Sequence, residues 1–205
     1  MRMVKTLLVS AFMSTVLSSA VFAAGTSYEV GDDVHNTNEV KFTSNASIVQ
    51  FYGTTSDIQG TANVDLNSLT KSTGEIKVSL ATFDTRKPQR NEHMKKVLNT
   101  DVNQFAVFKL KELKTGLKTL PAYKAVMVNA IGDLSLNNIT KPINTMLEIT
   151  YMPEKDKNSR EGDWIHLATN FEIKLSDYGI KAPRLIPLKV NDVLKIDVNV
   201  MGMKK

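Results

Sequence analysis

Residues 132–149 read Gly-Asp-Leu-Ser-Leu-Asn-Asn-Ile-Thr-Lys-Pro-Ile-Asn-Thr-Met-Leu-Glu-Ile, in which two runs of alternating apolar residues flank a short polar turn. Alternate side chains of a strand point to the same face of a sheet. The apolar residues that share one face here are Leu134, Leu136, Ile143, Leu147 and Ile149. Asn tolerates the left-handed backbone conformation that tight turns need. The stretch therefore predicts an antiparallel hairpin that turns at Asn137-Asn138.

The same alternation recurs along most of the chain. It predicts strands around residues 40–44, 49–53, 58–64, 76–80, 108–110, 126–136, 143–151, 165–173 and 194–200. One face of these strands is apolar, and charged residues occupy the other. An all-β fold follows, with about eight or nine antiparallel strands in a closed or nearly closed barrel.

Two segments interrupt the strand pattern. Residues 88–99 begin with Pro, carry apolar residues at helical spacing and end with two lysines, an order typical of one short helix. A helical insertion between two barrel strands would cover one end of the barrel. Residues 175–191 contain Gly and two prolines and predict a long loop at a barrel end.

The first 23 residues have the order of a secretory signal peptide. Arg2 and Lys5 precede an apolar run, and Val21-Phe22-Ala23 offers small residues at the positions that signal peptidase recognises. The apolar run is shorter than the about 20 residues that a membrane-spanning helix needs. We expect cleavage after Ala23 and a single domain over residues 24–205.

Composition excludes several classes of protein. The chain has no cysteine, which removes disulfides, thiol chemistry and a lipid-modified N-terminal cysteine. Its formal net charge of +5, part of which lies in the signal peptide, is too small to argue for nucleic-acid binding. The lysines that crowd one predicted hairpin are Lys109, Lys111, Lys114, Lys118 and Lys124. They are either solvated strand and loop tips or a peripheral contact with an anionic membrane surface.

Several short motifs occur in a fixed order along the chain. Their residues are His35, Val40 and Phe42; Asp84-Thr85, Arg90, His93 and Met94; Phe105 and Phe108; Gly132, Leu134, Leu136, Ile139, Thr140, Lys141, Pro142 and Ile143; and Tyr178-Gly179-Ile180. In this order and spacing the chain resembles the YceI family of secreted, lipocalin-like, polyisoprenoid-binding proteins. The resemblance implies an extended β-barrel whose deep apolar tunnel holds a long isoprenoid or a similar acyl chain.

The inward positions of the alternating strands would line such a tunnel. They are Phe42, Ile58, Gly60, Ala62, Val64, Ile76, Val78, Leu80, Phe108, Leu110, Val128, Ala130, Leu134, Leu136, Leu147, Ile149, Leu167, Phe171, Ile173, Ile196 and Val198. Small residues at four inward positions, Gly60, Ala62, Ala130 and Gly132, either leave volume for a guest or relieve crowding where the strands coil tightly.

Arg90 and His93 lie three residues apart and so share one face of the predicted helix. There they could hold the polar head of an amphiphile at the tunnel mouth, with the guanidinium bonded to a phosphate or a carbonyl oxygen. Alternatively they tether the helix, with Arg90 paired to a carboxylate such as Asp84 and His93 bonded to a backbone carbonyl.

Enzyme signatures are missing from the sequence. There is no nucleophile elbow, glycine-rich phosphate loop or zinc-protease motif. The three histidines, His35, His93 and His166, fall on separate predicted elements, which argues against a metal site. We therefore expect neither a metal nor a catalytic cofactor.

The leading hypothesis is a periplasmic carrier that binds a long-chain isoprenoid, a quinone or a fatty-acyl lipid by partition into an apolar barrel. One rival is a structural or stress-response barrel with a filled core that binds other proteins. A second rival is an enzyme acting on a small amphiphile, with Asp84 added to Arg90 and His93. The sequence leaves open the ligand and whether the protein is a monomer or a dimer.

Overall fold

The computed structural model describes residues 25–31, 37–46, 50–154, 162–182, 184–185 and 188–205. The predicted signal peptide, His35 and Val49 lie outside these residues, so the expectations about them stay predictions. Within the described part of the chain, no helix is long and apolar enough to cross a membrane.

The described residues form mostly strands, together with one α-helix. The strands are β1 Thr26–Val30, β2 Glu39–Ala46, β3 Gln50–Thr55, β4 Ile58–Val64, β5 Thr73–Ser79, β6 Phe105–Lys114, β7 Val126–Leu136, β8 Ile139–Met152, β9 Trp164–Lys174, β10 Arg184–Leu185 and β11 Leu188–Lys204. The helix α1 is Pro88–Leu98, and two 3₁₀-helices cover Leu69–Lys71 and Leu175–Tyr178.

Eight of the strands close into an antiparallel barrel. Hydrogen-bonded neighbours run in the order β1, β4, β5, β6, β7, β8, β9 and β11, and β1 then pairs back to β11 with Tyr28 opposite Lys204. Strand β2 pairs with a different stretch of β11, with Val40 opposite Val198, and β3 pairs with β2. The predicted closed antiparallel barrel is confirmed.

The hairpin predicted from residues 132–149 joins β7 to β8. Leu136 lies opposite Ile139, and the two residues between them, Asn137 and Asn138, have φ angles of 51° and 58°. Positive φ at both central residues is the pattern of the two-residue turn that best matches the twist of adjacent strands. The predicted turn is therefore confirmed at the predicted residues.

The alternation of the sequence did not predict β1 or β10, and the long loop predicted over residues 175–191 is wrong in part. That stretch is not a loop throughout, since it begins with a 3₁₀-helix and β11 already starts at Leu188. Leu175, Tyr178 and Ile180 are buried in the barrel core, so the first part of this stretch packs against the strands.

The barrel interior has two apolar clusters, one towards each end. The cap end, where the β7–β8 turn and α1 lie, contains a cluster with Phe42, Phe83 and Tyr178. The opposite end, which we call the plugged end, contains a second cluster with Tyr28, Leu69 and other side chains. Leu69, from the 3₁₀-helix between β4 and β5, is fully buried there and helps to close this end.

Helix α1 has the predicted boundaries to within one residue. Pro88 occupies its first turn, and Asn99 ends it in the left-handed conformation, with its N–H bonded to the carbonyls of Lys95 and Lys96. No residue of α1 is fully buried. Its apolar residues Met94, Val97 and Leu98 pack only partly against the cap-end cluster. The helix therefore lies across the cap end as a lightly packed lid.

Candidate functional site

A cavity of about 670 Å³ occupies the cap-end half of the barrel. Its wall is overwhelmingly apolar and comes from strands on all sides together with α1. Pockets for small molecules commonly span about 300–1,000 Å³ and combine an apolar wall with a few polar groups. The cavity is therefore large enough for a ligand and has the wall of an apolar binding site.

Most of the predicted inward residues surround this cavity. They are Phe42, Ile76, Val78, Leu80, Phe108, Ala130, Leu134, Leu136, Leu147, Leu167, Phe171, Ile173, Ile196 and Val198. Arg90 and His93 also border it, at the end that α1 covers.

The remaining predicted residues do not line the cavity, and the sequence-based assignment is corrected for them. They are Ile58, Gly60, Ala62, Val64, Leu110, Val128 and Ile149. Ala62, Val64, Val128 and Ile149 belong to the plugged-end cluster, where Tyr28 and Leu69 fill the space that a longer tunnel would occupy. The observed cavity is therefore a pocket in one half of the barrel.

The small inward residues serve different purposes. A Cβ added to Gly60 would lie 2.3 Å from the carbonyl oxygen of Glu75, and one added to Gly132 would lie 2.4 Å from Cζ of Phe108. These two glycines therefore permit close packing of strand and ring, as the crowding alternative supposed. Ala62 is 8 % exposed in the plugged end, whereas Ala130 borders the cavity.

The sequence missed part of the wall. Lining residues outside the predicted set are Val40, Ser44, Phe51, Phe83, Lys87, Gln89, Met94, Val97, Leu98, Ala106, Thr145, Thr169, Leu175, Ile180, Val190, Leu194 and Val200. Val40 and Leu194 follow the same alternation as the predicted residues, and Met94, Val97 and Leu98 have helical spacing. Nothing in the pattern could have placed Ile180, because it follows a turn and enters the wall only through the chain path.

A polar network anchors the start of α1. Arg90 donates from Nε to Oγ1 of Thr85 at 3.0 Å and from Nη2 to the Thr85 carbonyl at 2.7 Å. The Thr85 hydroxyl donates in turn to Oδ1 of Asn91 at 2.6 Å. The Asn91 amide donates to Asp84 at 2.8 Å. This bond, followed by one from the Arg86 backbone N–H, lowers the pKa of the Asp84 carboxyl.

These contacts correct the expected partner of Arg90. The side chain bonds Thr85, which is 2 % exposed, and Asp84 bonds Asn91 instead. The guanidinium also lies over the ring of Phe51, 4.6 Å from its centroid. His93 is exposed and borders the cavity, and it makes no hydrogen bond within the described residues.

Ser44 contributes a polar atom to the wall. Its side chain is fully buried and lines the cavity, and its hydroxyl makes no hydrogen bond with any residue that the structure describes. Leaving a buried hydroxyl unpaired costs about 1–3 kcal/mol. A guest with an oxygen at this depth would remove that cost.

The other predicted features lie on the barrel exterior. Lys109 and Lys111 pair with Glu75 and Asp133 at 3.0 and 2.7 Å, and the hydrogen bonds of Lys109 and then Lys77 lower the pKa of Glu75. His166 bonds the side chain of Asn199 at 2.6 Å. Among the described residues, no group of three or more His, Cys, Asp or Glu could hold a metal ion.

A family model for the YceI-like domain matches residues 32–201, which is most of the chain. The chain belongs to the YceI family. Two curated relatives are UPF0312 proteins: one from Serratia proteamaculans is 28% identical over 63% of this chain, and one from Photorhabdus laumondii is 29% identical over 64%. The matches span 62% and 64% of those relatives, which is less than two thirds of their length.

Solved structures support the YceI-like fold at low sequence identity. A polyisoprenoid-binding domain from Saccharophagus degradans has a TM-score of 0.67 at 14% identity and covers 88% of this chain and 99% of its own. Burkholderia cenocepacia BcnA has a TM-score of 0.62 at 14% identity, with 80% and 95% covered. A Campylobacter jejuni YceI protein has a TM-score of 0.59 at 18% identity, with 73% and 82% covered.

Proposed function

We propose that this protein is a periplasmic carrier that binds a long-chain isoprenoid, a quinone or a fatty-acyl lipid in the barrel cavity. The observation that carries the proposal is the apolar cavity of about 670 Å³ beneath α1. Export is supported by the signal-like order of residues 1–23. Binding in place of catalysis is supported by the family and by the composition of the cavity wall.

Partition alone supplies enough affinity for such a carrier. Burying about ten CH₂ groups at about 0.8 kcal/mol each contributes roughly 8 kcal/mol before ordering costs. A free energy of about −8 kcal/mol corresponds to a micromolar Kd. A site of this kind selects chain length and shape more than chemical identity.

The polar residues of the wall suggest how an amphiphile is oriented. Lys87, Gln89, Arg90 and His93 border the cavity on the α1 side. An anionic or carbonyl head group can be solvated there while its hydrocarbon chain lies among the strands. The deeper hydroxyl of Ser44 gives a partner to a second oxygen, such as one on a quinone ring.

The fold neighbours bear on this proposal and its rivals. The domain from Saccharophagus degradans is named as polyisoprenoid-binding, and the same class of ligand suits the cavity described above. A structural barrel with a filled core lacks an interior volume of this size, which argues against that rival. The enzyme hypothesis uses Asp84 and Arg90 as polar groups of its site. These side chains are instead bonded to Asn91 and Thr85, which argues against it.

Titration with cis-parinaric acid, whose fluorescence rises in apolar surroundings, tests the proposal. Delipidated protein should bind the probe with saturation. Ala106→Trp should reduce binding, because Ala106 lines the cavity and an indole would fill it. Ala125→Trp is the matched control, since Ala125 is exposed before β7. Absence of saturable binding by the unmodified protein would refute the proposal.

A further inference from the structure

The barrel wall is split between β8 and β9 at the cap end. These two strands pair only from Leu147 opposite Thr169 to Met152 opposite Trp164. Beyond that point, residues 139–146 of β8 stay paired with β7, and residues 170–174 of β9 stay paired with β11. The ladder between β8 and β9 therefore ends while both strands continue.

Two threonine hydroxyls close the split where the ladder between β8 and β9 ends. The next backbone pair in register would join Met146 to Asn170. In its place Thr145 Oγ1 donates to the carbonyl of Asn170 at 2.9 Å, and Thr169 Oγ1 donates to the carbonyl of Met146 at 2.8 Å. The two hydroxyl oxygens lie 2.8 Å apart. Side chains thus replace the ladder at the point where the strands diverge.

Pro142 removes one potential hydrogen bond from the free edge of β8. The two-residue turn makes Leu136 and Ile139 a hydrogen-bonded pair, and pairs alternate along the strand. Pro142 opposite Asp133 is therefore a non-hydrogen-bonded pair of the β7–β8 ladder, so its backbone edge faces β9. Proline has no N–H to donate across that edge.

The split is a cleft that passes between the strands. Its lining contains consecutive residues of each strand, and consecutive side chains of a strand point to opposite faces. Ile143 and Phe171 are inward residues of the lining, whereas Asn144 and Asn170 are outward ones. The residues that line both the cleft and the main cavity are Thr145, Thr169, Phe171 and Val198. The cleft and the cavity thus share a wall.

We propose that the cleft between β8 and β9 is a side opening of the cavity, through which the hydrocarbon tail of the ligand enters and leaves. This inference rests on the proposed function. A chain entering here would pass the Thr145–Thr169 contact and reach the cavity without displacing α1. Only side-chain hydrogen bonds must break at the contact, because β8 and β9 have no paired backbone residues between Leu147 and the cap end.

The outer surface of the cleft favours a tail over an anionic head group. Met127 and Met146 lie there, 54 % and 52 % exposed. Flexible thioether side chains adapt to apolar chains of irregular shape. Glu148 and Glu172 also line the cleft, so a carboxylate or phosphate would meet like charge. The head group therefore stays on the α1 side, where Lys87 borders the cavity.

Blocking the cleft tests this inference. The chain has no cysteine, so single-cysteine variants react with a bulky maleimide at one site only. Asn170→Cys and Asn144→Cys place the label on the two sides of the cleft. Lys77→Cys places it on an exposed site of β5 outside both the cavity and the cleft. Stopped-flow fluorescence then gives the association and release rates of cis-parinaric acid for labelled and unlabelled protein.

We expect the label at either cleft position to slow both rates several-fold and the label at Lys77→Cys to leave them unchanged. Unchanged rates with both cleft positions labelled would overturn the side opening while leaving the carrier function intact. Failure of every unlabelled variant, and of the unmodified protein, to bind the probe would instead refute the proposed function and this inference with it.

Discussion

The side-chain amide of Asn103 donates to Oδ1 of Asn137 at 2.8 Å and so joins the loop after α1 to the turn of the β7–β8 hairpin. The same amide approaches the carbonyl of Leu98, the last residue of the helix, at 3.3 Å. Asn138 donates to Oδ1 of Asn103, and Asn137 donates to the carbonyl of Tyr178. Asn103 thereby ties the end of the lid to the rim of the barrel.

Asn103→Ala should loosen this end of the lid. Each lost hydrogen bond contributes about 1 kcal/mol, and Asn103 is buried, so the partners it leaves unpaired add to the cost. We expect a lower thermal midpoint. Asn67→Ala, at an exposed residue whose side chain makes no hydrogen bond within the described chain, is the control. A thermal midpoint equal to that of the unmodified protein would show that Asn103 does not hold this end of α1 in place.

Arg90→Ala separates the tethering role from the head-group role. The guanidinium is engaged with Thr85 and Phe51, so its loss should lower the thermal midpoint and weaken the binding of oleic acid and oleyl alcohol alike. Competition against cis-parinaric acid measures the binding of oleic acid and of oleyl alcohol. Arg86→Ala is the matched control, because Arg86 lies over Tyr52 away from the cavity. A selective loss of oleic acid binding would assign Arg90 to the carboxylate.

Ala62→Trp should behave unlike Ala106→Trp. Ala62 lies in the packed cluster of the plugged end, where overpacking by an added methylene or two already costs about 1–3 kcal/mol. An indole there should give a strongly destabilised or insoluble protein, whereas Ala106→Trp should fold and lose ligand. Circular dichroism melting of the two variants decides. A stable Ala62→Trp protein would show that the plugged end has unfilled space.

The sequence predicted the strands well because their alternation is local. Val126–Leu136 buries every second side chain from Val128 onward, on a single inner face. Strand β1 was not predicted, because Thr26–Val30 is short and its place in the barrel depends on pairing with the end of β11, far along the chain. Such long-range pairing leaves no local pattern.

The extent of the cavity could not be predicted from the same pattern. Inward residues of both barrel halves are apolar, and whether a cavity remains between them depends on elements outside the strands. Leu69 and Leu120 fill the plugged end, whereas α1 only covers the cap end. Gly60 shows the limit of residue size as a guide, because its missing side chain accommodates a neighbouring strand and not a guest.

Asp163 should make stability depend on pH in the acid range. It accepts bonds from the Glu154 backbone N–H and from Lys204 Nζ, and these hold the pKa of its carboxyl below the usual 3.8. A carboxyl with a lowered pKa stabilises the fold above its ordinary pKa and loses that contribution as the pH falls through the folded-state value.

The test is the thermal midpoint of Asp163→Asn against the unmodified protein at neutral and acid pH. The unmodified protein should be the more stable at neutral pH, and the difference should shrink below about pH 3.8. Asp101→Asn, at an exposed carboxyl without an ion pair in the described chain, is the control. A gap that does not change with pH would mean that the Asp163 charge contributes nothing.

Organic extraction of the protein purified from its native host, followed by mass spectrometry, is the direct test of the claim that the cavity holds a lipid. We predict a long-chain isoprenoid, quinone or fatty-acyl lipid in near-stoichiometric amount, and much less of it from Ala106→Trp prepared in the same way. Protein that carries no lipid, or Ala106→Trp that carries as much as the unmodified chain, would contradict the claim.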